Sequence, residues 1–112
     1  LPALFCNRDA MREDFLRAAT SVRDPVWPLP LWQPYNSYLK SGIAHFANSG
    51  SSRMGGAITA ALYLERFVPE SQAWAHIDVY SWNDADRPGR PKGGEAQSLR
   101  ASWAWLQARY AR

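Results

Sequence analysis

Asn48-Ser49-Gly50-Ser51-Ser52 leads into Gly55-Gly56-Ala57-Ile58-Thr59-Ala60-Ala61-Leu62-Tyr63-Leu64, then Ala75-His76-Ile77-Asp78-Val79-Tyr80, then Arg87-Pro88-Gly89-Arg90-Pro91-Lys92-Gly93-Gly94. A small-residue loop, an apolar helical pattern, an apolar strand and a Pro/Gly-rich polar loop follow one another. That order predicts an α/β fold. The helix is expected from about Met54 to Val68, with Ile58, Ala61, Leu62, Leu64 and Phe67 as its buried face and Pro69 closing it. Its small-residue first turns let another backbone come close, and the cost of about 1 kcal/mol per glycine relative to alanine implies a packing or functional reason. Ala73 to Trp82 is apolar at nearly every position, as in a central strand covered on both faces.

Working outward, Leu1 to Phe5 predicts a short strand. Asn7 or Asp9 can cap a helix carrying Met11, Phe15, Leu16 and Ala19 at helical spacing. Asp24-Pro25 stops it, because proline disfavours the α conformation in the preceding residue. Val26 to Leu31, with two prolines, is an extended connector. Gln33 to Lys40 predicts a second, shorter helix with Pro34 in its first turn. Ile43 to Ala47 predicts a short strand. Asn83 to Gly94 is a polar loop, and Glu95 to Tyr110 a helix with Leu99, Trp103, Leu106 and Tyr110 on one side.

The chain has 112 residues, 46% hydrophobic and 21% charged, which fits one small folded domain. Six tryptophans supply more aromatic surface than so short a chain readily buries, favouring an interface with another subunit or with further parts of the same polypeptide. A net charge of +3, dispersed or held in one loop, makes no demand for nucleic acid. No apolar run is long enough to cross a bilayer. The single cysteine, Cys6, has no disulfide partner, so a reducing, cytoplasmic setting is expected. The chain opens without Met on apolar residues, as if cut from something longer.

Self-contained chemistry is scarce. Gly50-Ser51-Ser52-Arg53-Met54 has Met where a nucleophile elbow requires Gly. Gly50 to Gly55 has the glycine spacing of a phosphate-binding loop, but Gly56 and Ala57 stand where Lys and Ser/Thr are needed. Neither His45 nor His76 begins a zinc motif. His76 and Asp78 share a strand face, which permits an acid/base pair; the reading preferred is that each satisfies backbone or neighbouring polar groups. Arg87, Arg90 and Lys92 precede a helix start and can hold an anion; a solvated connector is preferred. Trp103 and Trp105 fall on different helix faces, one for the core and one for a subunit contact.

Several segments resemble the C-terminal end of the leucyl aminopeptidase (M17, cytosol aminopeptidase) family. They are Leu4-Phe5-Cys6-Asn7, Asp24-Pro25-Val26-Trp27-Pro28-Leu29-Pro30-Leu31-Trp32, the Gly55 to Leu64 helix, Trp74-Ala75-His76-Ile77-Asp78-Val79-Tyr80 and Arg87-Pro88-Gly89-Arg90-Pro91, in the family's order. The resemblance implies that residues 1–112 are the C-terminal portion of a three-layer α/β/α catalytic domain, with few strands flanked by about four helices. It implies a metallopeptidase that removes N-terminal residues from peptides with two divalent ions, Zn or Mn. The family's metal ligands and catalytic arginine lie in an Asn-Thr-Asp-Ala-Glu-Gly-Arg stretch and preceding segments, which this sequence lacks. No catalytic residue and no metal ligand is therefore expected here, and no activity in isolation. The implied partners are the N-terminal remainder of the enzyme, a peptide substrate and further copies in a hexamer.

By the same resemblance, Asn48, Ser49 and Gly50 line the leaving-residue side of the substrate pocket, and Tyr80 and Asn83 border the pocket for the N-terminal side chain. Tyr80-Ser81-Trp82-Asn83 departs from the commonest pattern, which has small residues and a methionine, and resembles a bacterial subgroup. His45 stands where many relatives have an aspartate. A rival reading is a non-catalytic binding or assembly module that uses the Trp-rich surface and the basic loop.

Overall fold

The computed structural model describes residues 1–40 and 54–111, so the expected strand at Ile43 to Ala47 lies outside the described residues. The chain is mixed α/β, and its described elements are few strands and four helices. They are β1 (Ala3–Cys6), α1 (Asp9–Ser21), β2 (Trp27–Pro28), a 3-10 helix (Gln33–Leu39), α2 (Gly56–Glu65), β3 (Ala75–Asp78), β4 (Trp82–Asn83), β5 (Gly93–Gly94) and α3 (Leu99–Tyr110).

β1 is the middle of a three-stranded sheet, parallel to β2 and antiparallel to β3, with Ala3 opposite Asp78 and Cys6 opposite Ala75. Successive strand side chains point to opposite faces, and both Leu4 and Phe5 are 0% exposed, so β1 is covered on both. Leu4 joins Phe15 and Ala19 of α1, Val26 and Ala101 of α3 in one apolar cluster. α1 packs against α3 and β1, while α2 packs against the 3-10 helix and β3.

The expected central strand is shorter and differently placed. β3 covers only Ala75–Asp78, is half-buried throughout and lies at the edge of the sheet among the described residues. Ser81 adopts a left-handed φ of 56°, which breaks the extended run before β4 resumes at Trp82.

Helix α1 buries Met11, Phe15 and Ala19 as its spacing predicts. Asn7 does not cap it. Arg8 is the N-cap residue, and the Asn7 side chain ties down the segment before β3 instead: its Nδ2 donates to the Gln72 carbonyl and its Oδ1 accepts from the Trp74 N–H, both at 2.8 Å. The α2 helix ends at Glu65, short of Phe67, which is exposed and stacks edge-on against Tyr63 at 5.3 Å. Leu64 is exposed as well; the buried face is Thr59, Ala61 and Leu62. At its start, Gly55 has φ 65°, and a Cβ there would meet the Tyr35 ring at 3.0 Å. Among the described residues the close neighbour is thus an aromatic side chain, a packing reason for glycine here.

Helix α3 begins at Leu99, four residues later than expected, because its start is set by a remote side chain. The buried Asp24 carboxylate accepts the N–H groups of Ser98 and Ala101, each at 3.1 Å. Leu99, Trp103 and Tyr110 share one side, and that side faces outward at 64%, 62% and 66% exposure. The inward side is Ala101 and Trp105, whose indole packs 5.7 Å from the Phe15 ring. A small residue at 101 lets α3 pack closely against Phe15 and Ala19 of α1.

Candidate functional site

Tyr80 to Glu95 carries two of the expected site residues and folds as a hairpin, not as an open loop. β4 and β5 pair antiparallel, Trp82 with Gly94 and Asn83 with Gly93. At the tip, Arg87 and Arg90 exchange backbone hydrogen bonds of 2.9 and 2.8 Å around Pro88-Gly89. Proline presets φ at the first turn position, and Gly89 takes φ 69° at the second, as in a type II turn.

The two arginines meet one carboxylate. Arg87 Nη2 donates to Glu95 Oε2 at 2.7 Å, and Arg90 Nη1 donates to Glu95 Oε1 at 2.8 Å. The Glu95 side chain is only 10% exposed, whereas both guanidinium groups reach solvent. The anion that this basic loop holds is therefore its own Glu95. Lys92 enters the network through its backbone, donating its N–H to Asp86 Oδ1 at 2.8 Å. Glu95 also anchors the strand end, its N–H donating to the Ser81 carbonyl at 3.0 Å.

Asn83 is buried, and its side chain is used on both ends. Nδ2 donates to the carbonyls of Arg90 and Pro91 at 2.9 Å each, and Oδ1 accepts from Arg87 Nε at 3.0 Å. Tyr80 is 71% exposed, and its hydroxyl donates to Asp84 Oδ1 at 3.4 Å. Asn83 thus builds the hairpin while Tyr80 offers a free ring face at its edge. Asn48, Ser49 and Gly50 lie outside the described residues. Sequence reasoning missed Glu95 as an organiser; the signal was its position just after a run of three cations.

His76 is not satisfied as expected. Its ring lies between Phe5, 6.0 Å away, and Trp74, 6.2 Å away and nearly parallel, and its buried Nε2 has no hydrogen-bond partner among the described residues. Burial pushes the imidazole below its ordinary value, opposed by the Asp78 carboxylate. Burial likewise pushes the Cys6 thiol up to about 11, opposed by Arg12. A protonated thiol is a poor metal ligand. Among the described residues no three His, Cys, Asp or Glu side chains come together as a metal cluster, so the donor set here does not fit a pair of divalent cations.

The sequence profile of the cytosol aminopeptidase family, catalytic domain, matches residues 1–102, which include all of the hairpin. The chain belongs to the cytosol aminopeptidase family. It is 47% identical over 92 residues to a probable cytosol aminopeptidase of Solibacter usitatus, a match covering 80% of this chain and 19% of that protein. It is also similar to the crystal structure of a cytosol aminopeptidase from Coxiella burnetii, with TM-score 0.93 and 50% identity over 97% of this chain and 24% of that one. The bottromycin maturation enzyme BotP, whose structure is described in complex with Mn, superposes with TM-score 0.89 at 32% identity, covering 96% of this chain and 24% of BotP. The chain spans about a fifth of the length of the curated relatives it matches. No helix among the described residues is long and apolar enough to cross a membrane.

Proposed function

We propose that residues 1–112 form the C-terminal segment of the catalytic domain of a cytoplasmic metalloaminopeptidase, an enzyme that hydrolyses N-terminal residues from peptides. In this reading the segment supplies a wall of the substrate pocket. Asn48, Ser49 and Gly50 line the leaving-residue side, and Tyr80 and Asn83 border the pocket for the N-terminal side chain. The observation that carries the reading is the family match over residues 1–102 combined with coverage of only about a fifth of the matched relatives.

Two divalent ions, Zn or Mn, would be held by residues outside this chain and would supply polarisation of the scissile carbonyl and activation of water. In this reading the described residues take no part in that chemistry. Their contribution is shape: the hairpin fixes Asn83, and the exposed Tyr80 ring borders the space where a side chain is received. The outward apolar side of α3 supports contact with the rest of the enzyme and with further copies in a hexamer, because a contiguous apolar side of this kind favours burial.

The test is an assay of the intact protein and of the isolated segment on an aminoacyl anilide with added manganese or zinc. The intact protein turns the substrate over, and the segment alone does not exceed the metal-only blank. Turnover by the segment, or none by the intact protein, contradicts the reading.

A further inference from the structure

We infer that the cleft between the β4–β5 hairpin, the end of α1 and the start of α3 is a binding site for one small inorganic oxyanion of the phosphate or sulfate class. Arg23, Arg87, Arg90 and Arg100 line it together with the carboxylates of Asp24 and Glu95. Its walls do not include Tyr80 or Asn83, and the inference is independent of the substrate-pocket reading.

The carboxylates leave the cations undersupplied with acceptors. Glu95 takes one nitrogen from each of Arg87 and Arg90, at 2.7 and 2.8 Å. Asp24 has both oxygens engaged by the backbone, Oδ1 by the Ser98 N–H and Oδ2 by the Ala101 N–H, each at 3.1 Å. Arg100 stands 3.9 Å from Asp24 Oδ1, outside hydrogen-bond reach, and its Nη2 donates only to the Arg23 carbonyl at 3.3 Å. Among the described residues the Arg23 guanidinium has neither a hydrogen bond nor an ion pair. Each guanidinium carries five N–H donors and no acceptor, so a cleft with four of them and no spare carboxylate lacks acceptors.

Charge points the same way. Four guanidinium groups against two carboxylates leave an excess of two positive charges in one concavity, and concave walls of one sign concentrate the field between them. Helix α3 adds to it, because Arg100 lies in a first turn without acidic residues, where the helix dipole already disfavours a cation. Arg23 takes a left-handed φ of 52° between α1 and β2, a costly conformation for a residue other than glycine. An oxyanion carries several lone pairs on a small body, which guanidinium forks match, so it supplies both the acceptors and the charge. Size sets the class. The cleft measures about 170 Å³, against roughly 300–1,000 Å³ for sites that take drug-sized ligands, so a bare oxyanion fits and a nucleotide does not. Bound there, the anion ties Arg87 and Arg90 of the hairpin to Arg23 and Arg100 at the two helix ends.

The experiment is thermal unfolding of the intact protein in sodium phosphate against sodium chloride at equal ionic strength. It compares wild type, Arg23→Gln, Arg100→Gln and Lys92→Gln, the last a charge control whose side chain lies outside the cleft. Wild type and Lys92→Gln are expected to show a saturable rise of the unfolding midpoint with phosphate. Arg23→Gln and Arg100→Gln are expected to need about tenfold more phosphate for the same rise, the scale of one lost charge-assisted hydrogen bond. Arg23 and Arg100 are both exposed, so neither substitution disturbs the core. A crystal structure of wild type grown in phosphate is expected to show tetrahedral density within hydrogen-bond distance of at least two of the four arginines. Three results overturn the inference: an equal rise in chloride, a phosphate-specific rise that Arg23→Gln and Arg100→Gln leave unchanged, or a cleft filled by polypeptide in the crystal. An intact protein that binds phosphate here yet lacks aminopeptidase activity contradicts the pocket reading alone and supports the anion site.

Discussion

The carboxylate of Asp24 reaches 77 positions along the chain to accept the backbone N–H of Ala101 at 3.1 Å. The same group holds Ser98 with its other oxygen, so one side chain caps α3 and fixes that helix to the end of α1. Both N–H groups belong to a first turn that has no intrahelical acceptor for them.

Replacing Asp24 by Ala should therefore destabilise the fold by about 1–2 kcal/mol, the range for a lost helix cap, with additional cost because the freed donors are buried. Asp24→Asn retains an acceptor for one donor and should lose less. Hydrogen exchange of the amides at 98 and 101 in the intact protein reads the effect, accelerating more in Asp24→Ala than in Asp24→Asn.

The two sides of α3 should respond differently to truncation. Phe15 is buried against Trp105, and Phe15→Ala should cost about 3–5 kcal/mol through lost burial and the cavity left behind. Leu99→Ala, on the outward side, should change the stability of the isolated segment by less than about 0.5 kcal/mol. Denaturant midpoints of the two variants check the contrast, and equal losses would place the outward side in a core.

His76 predicts an acid-sensitive fold. Its folded-state proton affinity is depressed by burial below the ordinary value of 6.5, so the unfolded chain takes up the proton first as pH falls. Its contribution to stability is present above 6.5 and is lost as pH falls from there through the depressed folded value. The denaturation midpoint of wild type should therefore drop more between pH 8 and pH 5 than that of His76→Phe, which keeps an aromatic ring between Phe5 and Trp74.

Cys6 should be slow to alkylate in the folded protein. With its thiol raised to about 11, little thiolate is present at pH 8, and thiolate is the reactive form. Iodoacetamide labelling followed by mass spectrometry should show slow modification in buffer and ordinary thiol rates in denaturant. Equal rates would mean that the site is open to solvent.

Much of this architecture was legible because local periodicity decides it. Met11, Phe15 and Ala19 repeat at helical spacing, and α1 buries those three. The Leu99, Trp103 and Tyr110 stripe repeats equally well, yet it points outward, since periodicity marks a side without saying what covers it. The small Ala101 wins the inward position through close approach. The α3 boundary is not readable locally, because Asp24, far away in sequence, sets it. The apolar run at Ala73 to Trp82 suggested a central strand, but the left-handed Ser81 interrupts it. At the candidate site, the Pro88-Gly89 turn follows from residue type alone. The links from Asn83 to Arg87 and from Glu95 to both arginines depend on hairpin register, which composition does not specify.

The most direct measurement is a crystal structure of the intact protein with a bound non-hydrolysable dipeptide analogue and manganese. The account predicts the ligand's N-terminal side chain within van der Waals contact, about 4 Å, of Tyr80 or Asn83, with every metal-bound carboxylate contributed from outside residues 1–112. A ligand bound away from that wall, or manganese held by carboxylates within residues 1–112, would contradict it.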